Sequence, residues 1–146
     1  MCSQTMKLNS SEWNRRIGWT SAAIGGITGL ILGLWSFDGP FAVPEFLGEY
    51  DDTSRRLARL GHIAFFGLGI LNLLTAAQLE RNCLSERATR AASWLMNFGN
   101  IFLPLTLFAA SVYQPCKYLM PLPATAVTIA MCLLAIGVWK PKEGAT

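Results

Sequence analysis

The side chains of this chain that could do chemistry are few and far apart. His62 is the single histidine, and the four cysteines are Cys2, Cys83, Cys116 and Cys132. Thioether and thiolate sulfur favour Cu(I), and imidazole binds copper or haem iron. A His62–Met120 haem pair, or a copper site of His62, Cys116 and Met120, is the metal chemistry these residues admit. All three are expected near one end of the apolar segments described below. They are scattered, however, and no second histidine completes a bis-histidine haem. The preferred reading of His62 is an imidazole bonded to a backbone carbonyl or a lipid phosphate, with haem or copper as the alternative. Arg55 and Arg59 share its helical face, at spacings that place all three side chains on one stripe. They are expected to snorkel to phosphates or to pair with Glu49, Asp51 and Asp52. No C-x-x-C, H-E-x-x-H, G-x-S-x-G or phosphate-loop pattern occurs in the sequence. Acid–base catalysis needs positioned histidine or carboxylate groups, and the apolar segments hold one histidine and no carboxylate, so an enzyme is the least favoured class.

A second set of polar residues lies inside apolar surroundings. Asn72 and Thr75 share one face of a predicted helix, as do Asn97 and Asn100 on the next. Matching the depths of an antiparallel hairpin pairs Asn72 with Asn100 and Thr75 with Asn97, each contact contributing ~0.6–2 kcal/mol. Pro104 cannot donate to the Asn100 carbonyl, which should kink the helix and leave that carbonyl for the Asn72 amide. The favoured role of these residues is to join helices; a polar pathway for a proton or solute is the alternative. Ser21, Gly25, Gly29 and Gly33 recur four residues apart, a stripe that lets two helix backbones approach closely. Packing inside the monomer is the first reading of the Gly25/Gly29/Gly33 face, and contact with another copy or another membrane subunit is the second.

These residues must be positioned by elements that the composition identifies. The chain has 146 residues, 52% hydrophobic and only 14% charged, where a soluble domain is about 25% charged. Four stretches, about 17–37, 60–79, 91–114 and 118–139, lack Asp, Glu, Lys and Arg. Each reaches the ~20 residues that span ~30 Å of hydrocarbon as a helix. A soluble bundle would carry a charged stripe on each helix. The expected fold is all-α: a polytopic membrane protein whose 146 residues form one bundle of four transmembrane helices. The first segment is too long for a cleaved signal h-region and is read as a retained anchor. Trp19, Trp35, Trp94, Tyr113, Tyr118 and Trp139 fall near the segment ends, where amphipathic rings favour the headgroup level.

Lys7, Arg15, Arg16, Arg81, Arg87, Arg90, Lys140 and Lys142 fall on one side of these segments, and Arg55, Arg56, Arg59 and Lys117 on the other. The positive-inside rule then puts both termini in the cytoplasm, in the inner (plasma) membrane if the host is a bacterium. The basic residues are interleaved with apolar segments, which argues against nucleic acid as a partner. Cys116 is then the only outside thiol, so a disulfide within the monomer is not expected. The long outside loop, 38–59, contains Asp38-Gly39-Pro40, Pro44 and Gly48, and is expected to rest on the membrane surface, with a docking surface as the alternative. Asp52-Thr53-Ser54 supplies N-cap candidates for the second helix. Two prolines, Pro121 and Pro123, open the fourth, where a missing N–H loses nothing.

Three function classes follow: a non-catalytic membrane subunit or assembly partner, a haem- or copper-binding redox subunit centred on His62, and a small oligomeric transporter or channel.

Overall fold

A computed structural model describes residues 2–36, 39–49, 52–81 and 84–139, with side chains from Leu8 onward. The side chains of Cys2 and Lys7, and residues Asp38, Tyr50, Asp51, Cys83, Lys140 and Lys142, lie outside that description. The chain is all-helical: α1 (Cys2–Leu34), α2 (Thr53–Arg81), α3 (Glu86–Val112) and α4 (Pro121–Trp139). Short 3-10 turns at Glu45–Leu47 and Gln114–Leu119 interrupt the first and third connections. All four helical segments are long and apolar enough to cross a membrane.

Helix ends follow local chemistry. Ser85 caps α3, its hydroxyl accepting the Ala88 N–H, and Glu86 lies in the first turn, where an acidic group favours the helix dipole. α4 opens on Pro121, at the position where proline fits. α3 continues as helix through Pro104, which is wholly buried. α1 differs most from expectation. It begins at Cys2, well before the uncharged stretch that opens at Ile17, because Leu8–Arg16 has no breaker and two of its polar residues, Ser11 and Asn14, are buried in the bundle.

Side-chain periodicity explains the bundle. Along α1 the residues Ser11, Asn14, Gly18, Ser21, Gly25 and Leu32 are buried and Thr28 half-buried, at alternating spacings of three and four. On α2, Ala58, Phe65, Asn72 and Leu79 recur every seventh residue, as do Ser93, Asn100 and Leu107 on α3 and Pro123, Ala130 and Gly137 on α4. A seven-residue repeat keeps one seam facing the partner as helices coil left-handedly. α1 packs chiefly on α2, α2 on α3, and α3 on α4, with further contact between α1 and α3. α4 is thus an outer helix, joined to the rest almost wholly through α3.

Small residues set the approach distances. A Cβ on Gly18 would lie 2.9 Å from the Gly69 carbonyl oxygen, and one on Gly69 would lie 2.7 Å from the Ala22 nitrogen. A Cβ on Gly25 would stand 2.6 Å from the Phe66 nitrogen. Gly25 and Gly29 therefore pack inside the monomer against α2. Gly33 meets nothing within 4 Å. The seam follows the seven-residue repeat, and that rotation carries Gly33 off the interface that a strict four-residue stripe would have kept.

The first connection is pinned to the bundle. Leu47 is buried against Leu32 and Ala58, with Trp35, Val43 and Phe108 around them, while Phe41 and Phe46 stay exposed. Gly48 has a positive φ of 63° and makes the turn that lets the Glu49 N–H donate to Asp52 Oδ2 at 2.8 Å. Arg55 is buried and donates to the Trp35 carbonyl at the end of α1. It supplies a cationic cap to a helix C-terminus, where carbonyls lack intrahelical donors.

Candidate functional site

The most concentrated polar chemistry sits where α1, α2 and α3 meet. Asn14 is wholly buried, placed there by the α1 seam that also buries Ser11 and Gly18. Its Nδ2 donates to Asn72 Oδ1 at 2.5 Å. Asn72 Nδ2 donates to Asn97 Oδ1 at 2.8 Å. Asn97 Nδ2 returns to Asn14 Oδ1 at 3.4 Å, and Ser93 Oγ donates to the same oxygen. Three amides, one per helix, thus form a closed head-to-tail ring. Each gives one N–H and receives one, so each bond polarises the next in the same sense.

Two further polar contacts extend this seam along α1. Toward the N-terminal end, Ser11 Oγ donates to Glu80, and Arg15 pairs with the same carboxylate at 2.7 Å. In the other direction, Ser21 Oγ lies 2.9 Å from both the Phe65 carbonyl and Asn100 Oδ1. One hydroxyl has one proton and cannot donate fully to both. Turning the Asn100 amide by half a rotation would let its buried, unpartnered Nδ2 donate to Ser21 Oγ while Ser21 donates to Phe65. From Ser11 to Ser21 this polar ladder covers about 15 Å of helix.

The pairing differs from the one depth matching predicted. Asn72 bonds Asn14 and Asn97, and Asn100 bonds Ser21; Asn72 and Asn100 are not partners. The Thr75 hydroxyl donates to the Leu71 carbonyl of its own helix at 3.0 Å, not to Asn97. The cause is α1. Its N-terminal extension inserts Asn14 between Asn72 and Asn97, and Ser21 further along takes Asn100. Asn14 and Ser93 escaped the sequence reading because they lie within a turn of arginines at segment ends, where polar residues look solvated. The recurrence of Ser11, Asn14, Gly18 and Ser21 on one face was the available signal.

His62 sits on α2 facing α1. Its ring fills the space that Gly29 leaves, since a Cβ there would come within 3.1 Å of Cδ2. Nδ1 is buried without a hydrogen bond of good geometry; the Arg59 carbonyl one turn earlier is the backbone acceptor it approaches. Cys116 is half-buried in the connection between α3 and α4, which packs on those two helices, and Met120 lies at the end of that connection. His62 is therefore directed to α1, while Cys116 and Met120 belong to another junction. Among the described residues no three His, Cys, Asp or Glu side chains gather as a metal-ligand set.

A lateral cleft of about 510 Å³ opens between α1 and α3, beside the amide ring, with Ser93 and Asn97 in its wall.

No known protein family, no curated protein and no solved structure matches the chain.

Proposed function

We propose that this chain is a non-catalytic, multi-pass integral membrane protein that serves as a small subunit or assembly partner of a larger membrane complex. The observation that carries this reading is the closed ring of Asn14, Asn72 and Asn97. A transport pathway needs amide groups that can turn toward a solute. Here each amide spends a donor and an acceptor on another helix, which uses them to lock α1, α2 and α3 into a frame. In hydrocarbon a polar side chain has no solvent to fall back on, so mutual satisfaction is the arrangement expected of a scaffold. Around that frame the outer surfaces are apolar: Ile27, Leu30 and Ile31 on α1, and Leu122, Ile129, Ile136 and Val138 on α4, are exposed. They suit lipid or the helices of a neighbouring subunit.

The proposed orientation puts both termini in the cytoplasm, supported by the eight-to-four division of basic residues. In a bacterial host the membrane is the inner one, since outer-membrane proteins are strand barrels. The test is extraction of the full-length chain from its native membrane in mild detergent, followed by native mass measurement and identification of co-purifying chains. The expected result is a complex of fixed stoichiometry containing at least one other membrane protein. A monodisperse single chain from the native membrane would overturn the assembly role, and ion or solute flux in liposomes would favour the transporter.

A further inference from the structure

The cleft between α1 and α3 is a volume that a scaffold does not require. α1 and α3 both lie antiparallel to α2 and so run parallel; they meet where Asn14 bonds Ser93 and Asn97, and the cleft opens beside that contact. The lining changes character along the cleft. Asn9, Ser10 and Arg90 occupy the end nearest the two N-termini; Trp13 and Trp94 follow, with Ser93 and Asn97 in the inner wall; Ile17, Phe98, Ile101 and Phe102 line the remainder. A polar end, then indole rings, then a mostly apolar stretch is the order a phospholipid presents from headgroup to acyl tail. The lengths agree as well. Asn9 to Ile17 covers about 12 Å and Arg90 to Phe102 about 18 Å of helix, against about 15 Å for one leaflet of a ~30 Å core.

The lining selects the occupant: beyond Trp13 and Trp94 it offers Ile17, Phe98, Ile101 and Phe102, apolar side chains that suit an acyl chain. Charge selects the headgroup. Arg87 and Arg90, three residues apart, line an adjoining hollow of about 270 Å³ with Ala91 and Trp94. Glu86 precedes them, leaving this turn of α3 with net positive charge. On the α1 side, Arg16 is paired with Glu12, so that pair adds no net charge. Arginine recognises phosphate oxygens in bidentate fashion, and basic pockets between helices at the cytoplasmic face bind anionic headgroups.

We infer that the α1–α3 cleft is a binding site for one anionic membrane phospholipid, with its phosphate at Arg87 and Arg90 and an acyl chain along Ile17, Phe98 and Phe102. The site rests on the membrane placement proposed above and is independent of the assembly role. It would make a bound lipid part of the α1–α3 interface, filling the gap beside the amide ring.

The experiment uses the full-length chain, purified in a neutral detergent and equilibrated with equal amounts of phosphatidylglycerol and phosphatidylcholine. Native mass spectrometry then counts retained lipids. The expected result is one retained phosphatidylglycerol per chain, preferred by about tenfold or more over phosphatidylcholine. The double variant Arg87→Gln/Arg90→Gln should lose that preference. Ile17→Trp, which fills the cleft without touching charge, should lose retention of the lipid itself; if the arginine variant does not fold, this variant decides alone. Equal retention of both lipids, unchanged retention in Ile17→Trp, or a fatty acid binding equally well in the arginine variant would each overturn the site. So would a second copy of the chain bound in place of lipid. Resistance of the chain to carbonate extraction from membranes, measured alongside, separates failure of the lipid site from failure of the membrane placement.

Discussion

Asn14 accepts from two side chains and donates to a third, so its loss is felt on all three helices. Asn14→Leu removes the hub of the ring and leaves Ser93, Asn72 and Asn97 with buried groups to satisfy. Interhelical side-chain bonds between transmembrane helices are worth ~0.6 kcal/mol on average and up to ~1.7, and stranded buried donors or acceptors cost ~1–3 kcal/mol. The expected loss is about 2–4 kcal/mol, read as a lowered midpoint in reversible unfolding in mixed detergent. Thr75→Val is the matched control: Thr75 is just as buried, but its hydroxyl bonds its own helix at Leu71, so the change should cost about 1 kcal/mol or less. Asn14→Leu and Asn97→Leu together should cost clearly less than the sum of the two single changes, because either alone opens the ring. Strict additivity would show that the amides act as separate contacts.

At the scale of the helices, glycine positions divide sharply. Gly25→Ala would press a methyl carbon within 2.6 Å of the Phe66 backbone, and Gly69→Ala would do the same to Ala22 at 2.7 Å. Backbone cannot swing aside, so α1 and α2 must separate, with an expected loss of about 1–3 kcal/mol. Gly26→Ala and Gly33→Ala meet nothing within 4 Å and gain helix propensity; melting in detergent should be unchanged or raised, by up to ~1 kcal/mol each. A drop for Gly33→Ala matching that for Gly25→Ala would place the α1 interface on a four-residue stripe instead of the seven-residue seam. The distinction shows what the sequence could convey. Four apolar segments, the glycine-rich face of α1 and the polar faces of α2 and α3 were legible, because hydropathy and spacing record them directly. Partner choice was not. Hairpin depth matching treats two helices at a time, whereas Asn72 is claimed by a residue on a third helix, some 60 positions away in the chain. Arg55 was hidden for a similar reason: beside Glu49, Asp51 and Asp52 it reads as a surface ion-pair partner, and only the fold brings the end of α1 to it.

The molecule as a whole is unequal along its length. Its polar ladder, from Ser11–Glu80 through the amide ring to Ser21–Asn100, occupies the half nearest the N-terminus, together with Arg15, Arg16, Arg81, Arg87 and Arg90. The opposite half is closed by Leu32, Leu47, Ala58 and Phe108. A ladder of buried hydroxyl and amide groups is tolerable in hydrocarbon where it begins at a wetted face. The excess of basic residues at that same face supports the proposed orientation, with the N-terminal end of α1 in the cytoplasm. Single cysteines in a background with the native four replaced by serine can test it. Glu12 and Tyr118 are both exposed, at opposite ends of the bundle. In intact cells, a membrane-impermeant maleimide should label Tyr118→Cys and reach Glu12→Cys only after permeabilisation. Labelling reversed between the two would invert the proposed orientation. Labelling of both from outside would mean that the N-terminal end of α1 and the α3–α4 connection share a compartment, and the four-span arrangement would fail with it.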